Sequence, residues 1–270
     1  MIMKRLIYIL CGLLVIFTGC TKDGESDAPK AGIYSMEDLI AFCDAVNAGQ
    51  DLSQWQDDKE QSVTLYTDID LESWEWEPIN ELMGVFDGNG YTIRLKKSQT
   101  TPYEQWGFVK KNSGIIKNLR VEANFQMETF KADDGIGYTA QSVGGICNVN
   151  RGLITESSFK IIGDNKLDNV VFGGIASENT NVGTIEQCQV EGELSGANLI
   201  VGGICAENNG MIKDCQNKMQ IDATQSNGFD CFDKLVIFIN GRIFKLRIRG
   251  NMLIAKQRFV SIQRIRFNTT

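Results

Sequence analysis

Histidine is absent from all 270 residues. Its absence removes Ser-His-Asp and Cys-His nucleophilic sites and every histidine-ligated metal. No two cysteines stand at Cys-x-x-Cys spacing, so the commonest zinc pattern is missing too. Long apolar runs are scarce. The run at residues 6–17 is twelve residues, too short to cross a bilayer as a mature helix. Basic residues are sparse through most of the chain: residues 20–231 hold 16 Lys and Arg against 33 Asp and Glu, net −17. Such a field argues against anionic partners as the main target. The chemistry that remains belongs to carboxylates, Lys and Arg.

What the chain does contain is a repeat. Val143-Gly144-Gly145-Ile146-Cys147 is followed 29 residues on by Phe172-Gly173-Gly174-Ile175-Ala176, and 29 further on by Val201-Gly202-Gly203-Ile204-Cys205. An Asn trails each copy at the same offset, at Asn150, Asn179 and Asn208, then a Gly and an Ile: Gly152 and Ile154, Gly183 and Ile185, Gly210 and Ile212. An earlier copy holds Asn112, Gly114 and Ile116, each 38 residues before its counterpart. The nine additional residues predict a loop near 123–139. A fixed period of this size, built from short apolar runs without a helical period, predicts a solenoid of stacked rungs. Gly-Gly and Asn-x-Gly read as corners at positive φ. Asn112, Asn150, Asn179 and Asn208 read as a ladder in which each amide bonds to the next, about 4.8 Å along the stack. The other reading is an Asn row that grips a ligand.

Residues 201–215 resemble the GLUG repeat of bacterial surface proteins. Met83-Gly-Val-Phe-Asp-Gly-Asn-Gly-Tyr-Thr-Ile93 resembles the rung that precedes such repeats. The similarity spans residues 33–221. It implies an all-β fold: a right-handed parallel β-helix, as in adhesin-like surface proteins and non-catalytic regions of some secreted proteases. One helix is expected, over residues 35–48. Ser35 and Asp38 have capping-box-like spacing, Met36, Leu39, Ile40, Cys43 and Val46 fall at helical spacing, and Gly49 ends it. Its position predicts a short cap on the solenoid's N-terminal end.

The flanks read differently. Residues 1–19 have the layout of an export signal, with Lys4 and Arg5 before the apolar run. Thr18-Gly19-Cys20 resembles a bacterial lipobox. That implies a signal peptide cleaved before Cys20, lipidation of Cys20, and attachment to a membrane through lipid rather than a span. Residues 20–32 read as a flexible tether, and its Lys22-Asp23 and Glu25 are similar to the export signal of surface lipoproteins in Bacteroidota. The expected location is the outer membrane, facing outward. From residue 222 the pattern stops: residues 232–270 hold nine Lys and Arg and one Asp. Residues 236–248 would form a hairpin about Asn240-Gly241 that caps the open end. Alternatively the tail is a frameshifted or truncated end. It lacks a nucleic-acid-binding motif, so no nucleic-acid partner is expected.

Candidate site residues fall in three groups. Residues 63–71 read as a first strand with Thr64, Tyr66, Asp68 and Asp70 on one face. Asp68, Asp70 and Asp87 are the nearest approach to a carboxylate or calcium site, although the dense Asp pattern of a calcium loop is missing and no metal or cofactor is expected. Trp74, Trp76, Tyr91, Tyr103 and Trp106 either offer flat faces to a sugar or pack the first rungs. The loop at 123–139, with Lys131, Asp133, Asp134 and Tyr138, is the first candidate for ligand specificity, because insertions between rungs map to one face. Cys188 and Cys215 are equivalent residues on adjacent rungs; a disulfide fits the separation, but parallel Cβ vectors favour stacked thiols. At the positions after each repeat Ile (Thr155, Glu186, Lys213, then Glu156, Gln187, Asp214) no acidic pair falls on neighbouring rungs, so a solvated face is expected. The main expectation is a non-catalytic binding protein for a glycan or a host or matrix protein. The alternatives are a carboxylate-based polysaccharide lyase or hydrolase, and a truncated paralogue without function.

Overall fold

Short apolar runs divided by Gly and Asn fold into short strands, seen in a computed structural model. It describes residues 30–57, 61–98, 104–125, 141–163, 165, 167, 170–197 and 200–224, with strand pairing at 238–239 and 242–243. The signal segment, Cys20, residues 126–140 with Lys131, Asp133, Asp134 and Tyr138, Tyr103, and most of the tail lie outside the described residues.

After helix α1 (Met36–Asn47), the described residues wind through six rungs. Rung 1 holds β1 (Ser62–Thr64), β2 (Ile69–Glu75) and β3 (Ile79–Leu82). Rung 2 holds β4 (Val85–Asp87), β5 (Thr92–Lys97), β6 (Gln105–Trp106) and β7 (Val109–Asn112). Rung 3 holds β8 (Ile115–Lys117), β9 (Arg120–Phe125), β10 (Gln141–Gly144) and β11 (Cys147–Asn150), and rung 4 holds β12 (Leu153–Thr155), β13 (Ser158–Ile161), β14 (Val170–Gly173) and β15 (Ala176–Asn179). Rung 5 holds β16 (Thr184–Glu186), β17 (Gln189–Ala197), β18 (Ile200–Gly202) and β19 (Cys205–Asn208), and rung 6 holds β20 (Met211–Lys213) and β21 (Gln216–Thr224). The strands stack in parallel into four faces: β1-β4-β8-β12-β16-β20 (face 1), β2-β5-β9-β13-β17-β21 (face 2), β6-β10-β14-β18 (face 3) and β3-β7-β11-β15-β19 (face 4). This is a parallel β-helix, in the register that the repeat spacing predicts: Asn112 opposes Asn150, Asn150 opposes Asn179, and Asn179 opposes Asn208.

The asparagine ladder is built as a chain of amide bonds. Asn112 Nδ2 donates to Asn150 Oδ1 (2.9 Å), Asn150 Nδ2 to Asn179 Oδ1 (2.8 Å) and Asn179 Nδ2 to Asn208 Oδ1 (2.8 Å). Asn112, Asn150 and Asn179 are fully buried, so these amides close the corner between faces 4 and 1 and offer nothing to a ligand. The paired glycines have a different role from the one expected. None of them is at positive φ. They are glycines because a Cβ has no room: at Gly144, Gly173 and Gly202 it would run into the carbonyl of Cys147, Ala176 and Cys205. The positive-φ corner lies elsewhere, between faces 1 and 2, at Asn118 (52°), Glu156 (49°), Gln187 (54°) and Asp214 (51°).

The N-terminal end is capped as predicted in kind and different in detail. Ser35 Oγ accepts from Asp38 N (3.1 Å), while Asp38 Oδ2 reaches Tyr34 N (3.0 Å). The buried face of α1 is Leu39, Phe42, Cys43 and Ala45; Met36, Ile40 and Val46 are only partly covered. Asn47 acts as a short substitute strand. Its Nδ2 donates to Pro78 O (3.2 Å) and its Oδ1 accepts from Asn80 N (2.7 Å), so it occupies the free edge of β3. Below the cap buried aromatics pack in two groups, Phe42 with Phe86 and Phe108, then Phe125 with Phe159 and Phe172. Residues 63–71 are not one strand. The chain turns at Tyr66-Thr67-Asp68 between faces 1 and 2, while Val63, Leu65, Ile69 and Leu71 keep the inward alternation. The insertion between β9 and β10 begins after Phe125; Ala123 and Phe125 belong to β9 and the core. In the tail, Phe238 pairs with Ile243 and Ile239 with Arg242, antiparallel. Among the described residues no helix is long and apolar enough to cross a membrane.

Candidate functional site

The left-handed corner between faces 1 and 2 carries the site. Rungs 3 to 6 each leave face 1, turn through one residue at positive φ, bury the next side chain and start face 2, whereas rung 2 turns through two such residues, Asn89 and Gly90. A shallow polar groove of about 420 Å³ follows this corner over four rungs. It is lined by Asn89 and Gly90 of rung 2, Asn118 and Arg120 of rung 3, Glu156, Ser157 and Ser158 of rung 4, and Gln187 of rung 5. The volume is that of a small-ligand site. Stacking places Arg120 directly beside Ser158. Asn118, Glu156 and Gln187 recur once per rung, so hydrogen-bonding groups repeat about every 4.8 Å along the groove.

The groove wall is fixed from beneath. Asp87 Oδ1 accepts from Asn89 N (2.8 Å) and Asn118 Nδ2 (3.1 Å), and Lys117 Nζ stands 3.2 Å from Oδ2. Burial works to raise the Asp87 pKa. The Asn118 and Asn89 hydrogen bonds and the Lys117 ammonium outweigh it and hold the carboxyl below the ordinary range. Ser157 Oγ donates to Thr155 O (2.7 Å), and the cysteines at the same buried position repeat the bond: Cys188 Sγ to Glu186 O (3.2 Å) and Cys215 Sγ to Lys213 O (3.3 Å). Cys188 and Cys215 are free, buried thiols on adjacent rungs, the arrangement that the parallel Cβ vectors favoured over a disulfide. The hydrogen bond to Cys215 and burial push the Cys188 thiol well up. Burial also pushes Cys205 up to about 12, and raises Cys147 further.

The sequence candidates separate. Asp68, Asp70 and Asp87 do not converge: Asp68 Oδ1 takes Thr92 N (2.7 Å), Asp70 Oδ1 takes Glu72 N (2.9 Å), and Asp87 holds the groove wall. Among the described residues no three acidic or cysteine side chains come close enough to share a metal ion. Trp76 is a core residue, 3% exposed, stacked on Phe108 (5.6 Å) with Nε1 donating to Phe108 O (3.1 Å). Trp106 is buried edge-on to Phe125. Neither offers a ring to a sugar. Trp74 is exposed near the far end of β2 and does not line the groove.

Three features were not foreseen. Along face 2 the outward residues alternate in charge through all six rungs: Asp70, Arg94, Glu122, Lys160, Glu191, Lys218. Arg94 Nε meets Glu122 at 2.8 Å and Lys160 meets Glu191 at 3.8 Å. A slip of one rung would bring like charges together, so this column reinforces register. Lys97 is buried and tied to Glu104 (2.8 Å) and Glu75 (3.4 Å), an ion-paired knot beside the bulge in β2. Lastly, an acidic pair does align on neighbouring rungs, in a column other than the two compared in the sequence: Glu178 opposes Glu207 on face 4. Neither lines the groove.

Compared with protein-family models, with curated proteins and with solved structures, the chain matches none.

Proposed function

We propose that this chain is a membrane-anchored, cell-surface binding protein of the adhesin-like type, without catalytic activity, whose ligand is a glycan. The observation that carries the reading is the corner groove. Arg120, Glu156, Ser158 and Gln187 project hydrogen-bonding groups into it at one-rung spacing. An extended sugar chain offers hydroxyls at a similar repeat. The resemblance of residues 83–93 and 201–215 to GLUG-containing surface proteins supports the same class, and the lipobox-like Thr18-Gly19-Cys20 supports anchorage through a lipidated Cys20 at the outer membrane.

The test is an array of glycans and matrix proteins probed with the full-length chain in detergent. Saturable binding to a defined glycan, lost in Arg120→Ala/Gln187→Ala, is the expected result. Binding that survives this change but fails when residues 126–140 are replaced by a short linker moves the site to the insertion. Binding to nothing leaves a scaffold or a truncated, non-functional paralogue as the better reading.

A second reading has one observation in its favour. Glu178 and Glu207 stand in register on neighbouring strands, whose backbones lie about 4.8 Å apart, near the roughly 5 Å that a retaining glycosidase needs between its two carboxyl groups. A polysaccharide hydrolase using this pair would lose all turnover in Glu178→Gln. Reducing-end release from a polysaccharide panel distinguishes it from a binder.

A further inference from the structure

Face 1 presents two outward columns on either side of its buried middle one. The first runs Val85, Ile115, Leu153, Thr184, Met211 through rungs 2 to 6; the second runs Asp87, Lys117, Thr155, Glu186, Lys213 through the same rungs. The first is apolar at four of five positions, with Met211 54% exposed, and Met83 and Val182 stand exposed at the adjoining corner. The second reads negative, positive, neutral, negative, positive. That order is its own complement when reversed. We propose that face 1 is the contact of a weak two-fold symmetric dimer of this chain, with the axis lying along the strand direction at rung 4.

A two-fold axis along the strands reverses rung order and keeps each column opposite itself. Asp87 then meets Lys213 of the second copy, Lys117 meets Glu186, and Thr155 meets Thr155. In the other column Val85 meets Met211, Ile115 meets Thr184, and Leu153 meets Leu153. The register is selective. Moving the axis half a rung one way sets Asp87 against Glu186; moving it the other way sets Lys117 against Lys213. Both put like charges together. Arg151 and Glu156, which would face their own copies, stand at the two rims of rung 4, where water screens them. Lys117 and Asp87 already pair within one chain at 3.2 Å with partly exposed side chains, so the second copy extends an existing pair into a network. The face is small. Five rungs of about 4.8 Å and three residues of about 3.3 Å give about 240 Å², well under the roughly 800 Å² per partner of a stable interface. The dimer is therefore weak in solution, and anchorage of both copies to one surface would strengthen it. It would also lay two corner grooves side by side.

Sedimentation equilibrium of the full-length chain in detergent tests this. The wild type is expected to dimerise reversibly below millimolar concentration. Lys117→Glu alone and Glu186→Lys alone each set two like-charge contacts across the axis, and each should weaken dimerisation at least about tenfold. An equimolar mixture of the two variants restores every opposite-charge contact and should recover wild-type affinity. Thr155→Lys, which sets a lysine against its own copy on the axis, should weaken the dimer by a similar factor. A wild type that stays monomeric to millimolar concentration overturns the proposal. So do single variants that dimerise like the wild type, which would place the contact on another face, and a mixture of folded variants that shows no recovery.

Discussion

Removing one amide from the middle of the asparagine ladder should cost far more than removing one at its end. Asn150 is completely buried. Its carbonyl accepts from Asn112 Nδ2 (2.9 Å) and Gly152 N (3.3 Å), and its amide donates to Asn179 Oδ1 (2.8 Å), Gly152 O (3.3 Å) and Thr184 O (3.2 Å). In Asn150→Ala the buried Asn179 oxygen and the half-buried Gly152 N–H lose these partners, whereas Asn112 Nδ2 keeps Leu153 O (3.2 Å). The buried Asn179 oxygen left unpaired costs about 1–3 kcal/mol and the half-buried Gly152 N–H less, which together predict a loss of about 3 kcal/mol. Asn208 ends the ladder and is part-exposed; Asn179 Nδ2, its donor, retains Met211 O (3.3 Å). Asn208→Ala should therefore cost about 1 kcal/mol, the net value of one ordinary hydrogen bond. Urea unfolding followed by the fluorescence of buried Trp76 and Trp106 measures both. Equal losses in the two variants, or a loss below about 1 kcal/mol at Asn150, would mean that the ladder adds nothing to a core held by apolar packing alone.

Four further outcomes are expected of the same fold. Gly173→Ala drives a Cβ into the Ala176 carbonyl and should cost at least about 3 kcal/mol by thermal unfolding; Gly49→Ala, in open space at φ 65°, should cost only about 1 kcal/mol. Cys215→Ser should unfold within about 1 kcal/mol of wild type, because Ser157 makes the same bond two rungs away, while Cys215→Ala loses it; urea midpoints compare the two. Cys205 holds its proton up to about 12 when folded and releases it near its ordinary value when unfolded. The unfolded chain thus binds fewer protons above that value, and stability should fall by about 1.4 kcal/mol per pH unit from this thiol as pH rises; urea titrations at rising pH should show the fall reduced in Cys205→Ala. Asn47→Ala uncovers the edge of β3 and should lower the unfolding midpoint and promote self-association, read by light scattering.

The fold was legible because its rule is repetitive. A spacing of 29 residues with Asn at one offset fixes which residues stack, and the insertion and the compensating shift in the middle copy fall where the strands say they do. Glycine misled in mechanism only. Gly144, Gly173 and Gly202 recur because neighbouring backbone comes too close for a Cβ, which a sequence cannot separate from a need for positive φ. The true positive-φ column, Asn118, Glu156, Gln187 and Asp214, carries no glycine and was invisible as such. For the same reason the groove was missed: its residues share a corner rather than a motif. One signal was available. Aligned on the repeat, those four positions are all polar, and the next residues, Leu119, Ser157, Cys188 and Cys215, are small or apolar and buried. Trp76 failed as a sugar platform because composition shows an aromatic ring but not which way it faces.

On the proposed reading, the corner between faces 1 and 2 binds an extended glycan. Its most direct test is a titration of an array-selected glycan against the full-length protein, the wild type beside Arg120→Ala/Gln187→Ala, with the unfolding midpoint of each measured in parallel. The expected result is an affinity loss of at least about thirtyfold from two removed polar contacts, at an unchanged midpoint. Unchanged affinity in a folded variant would contradict it.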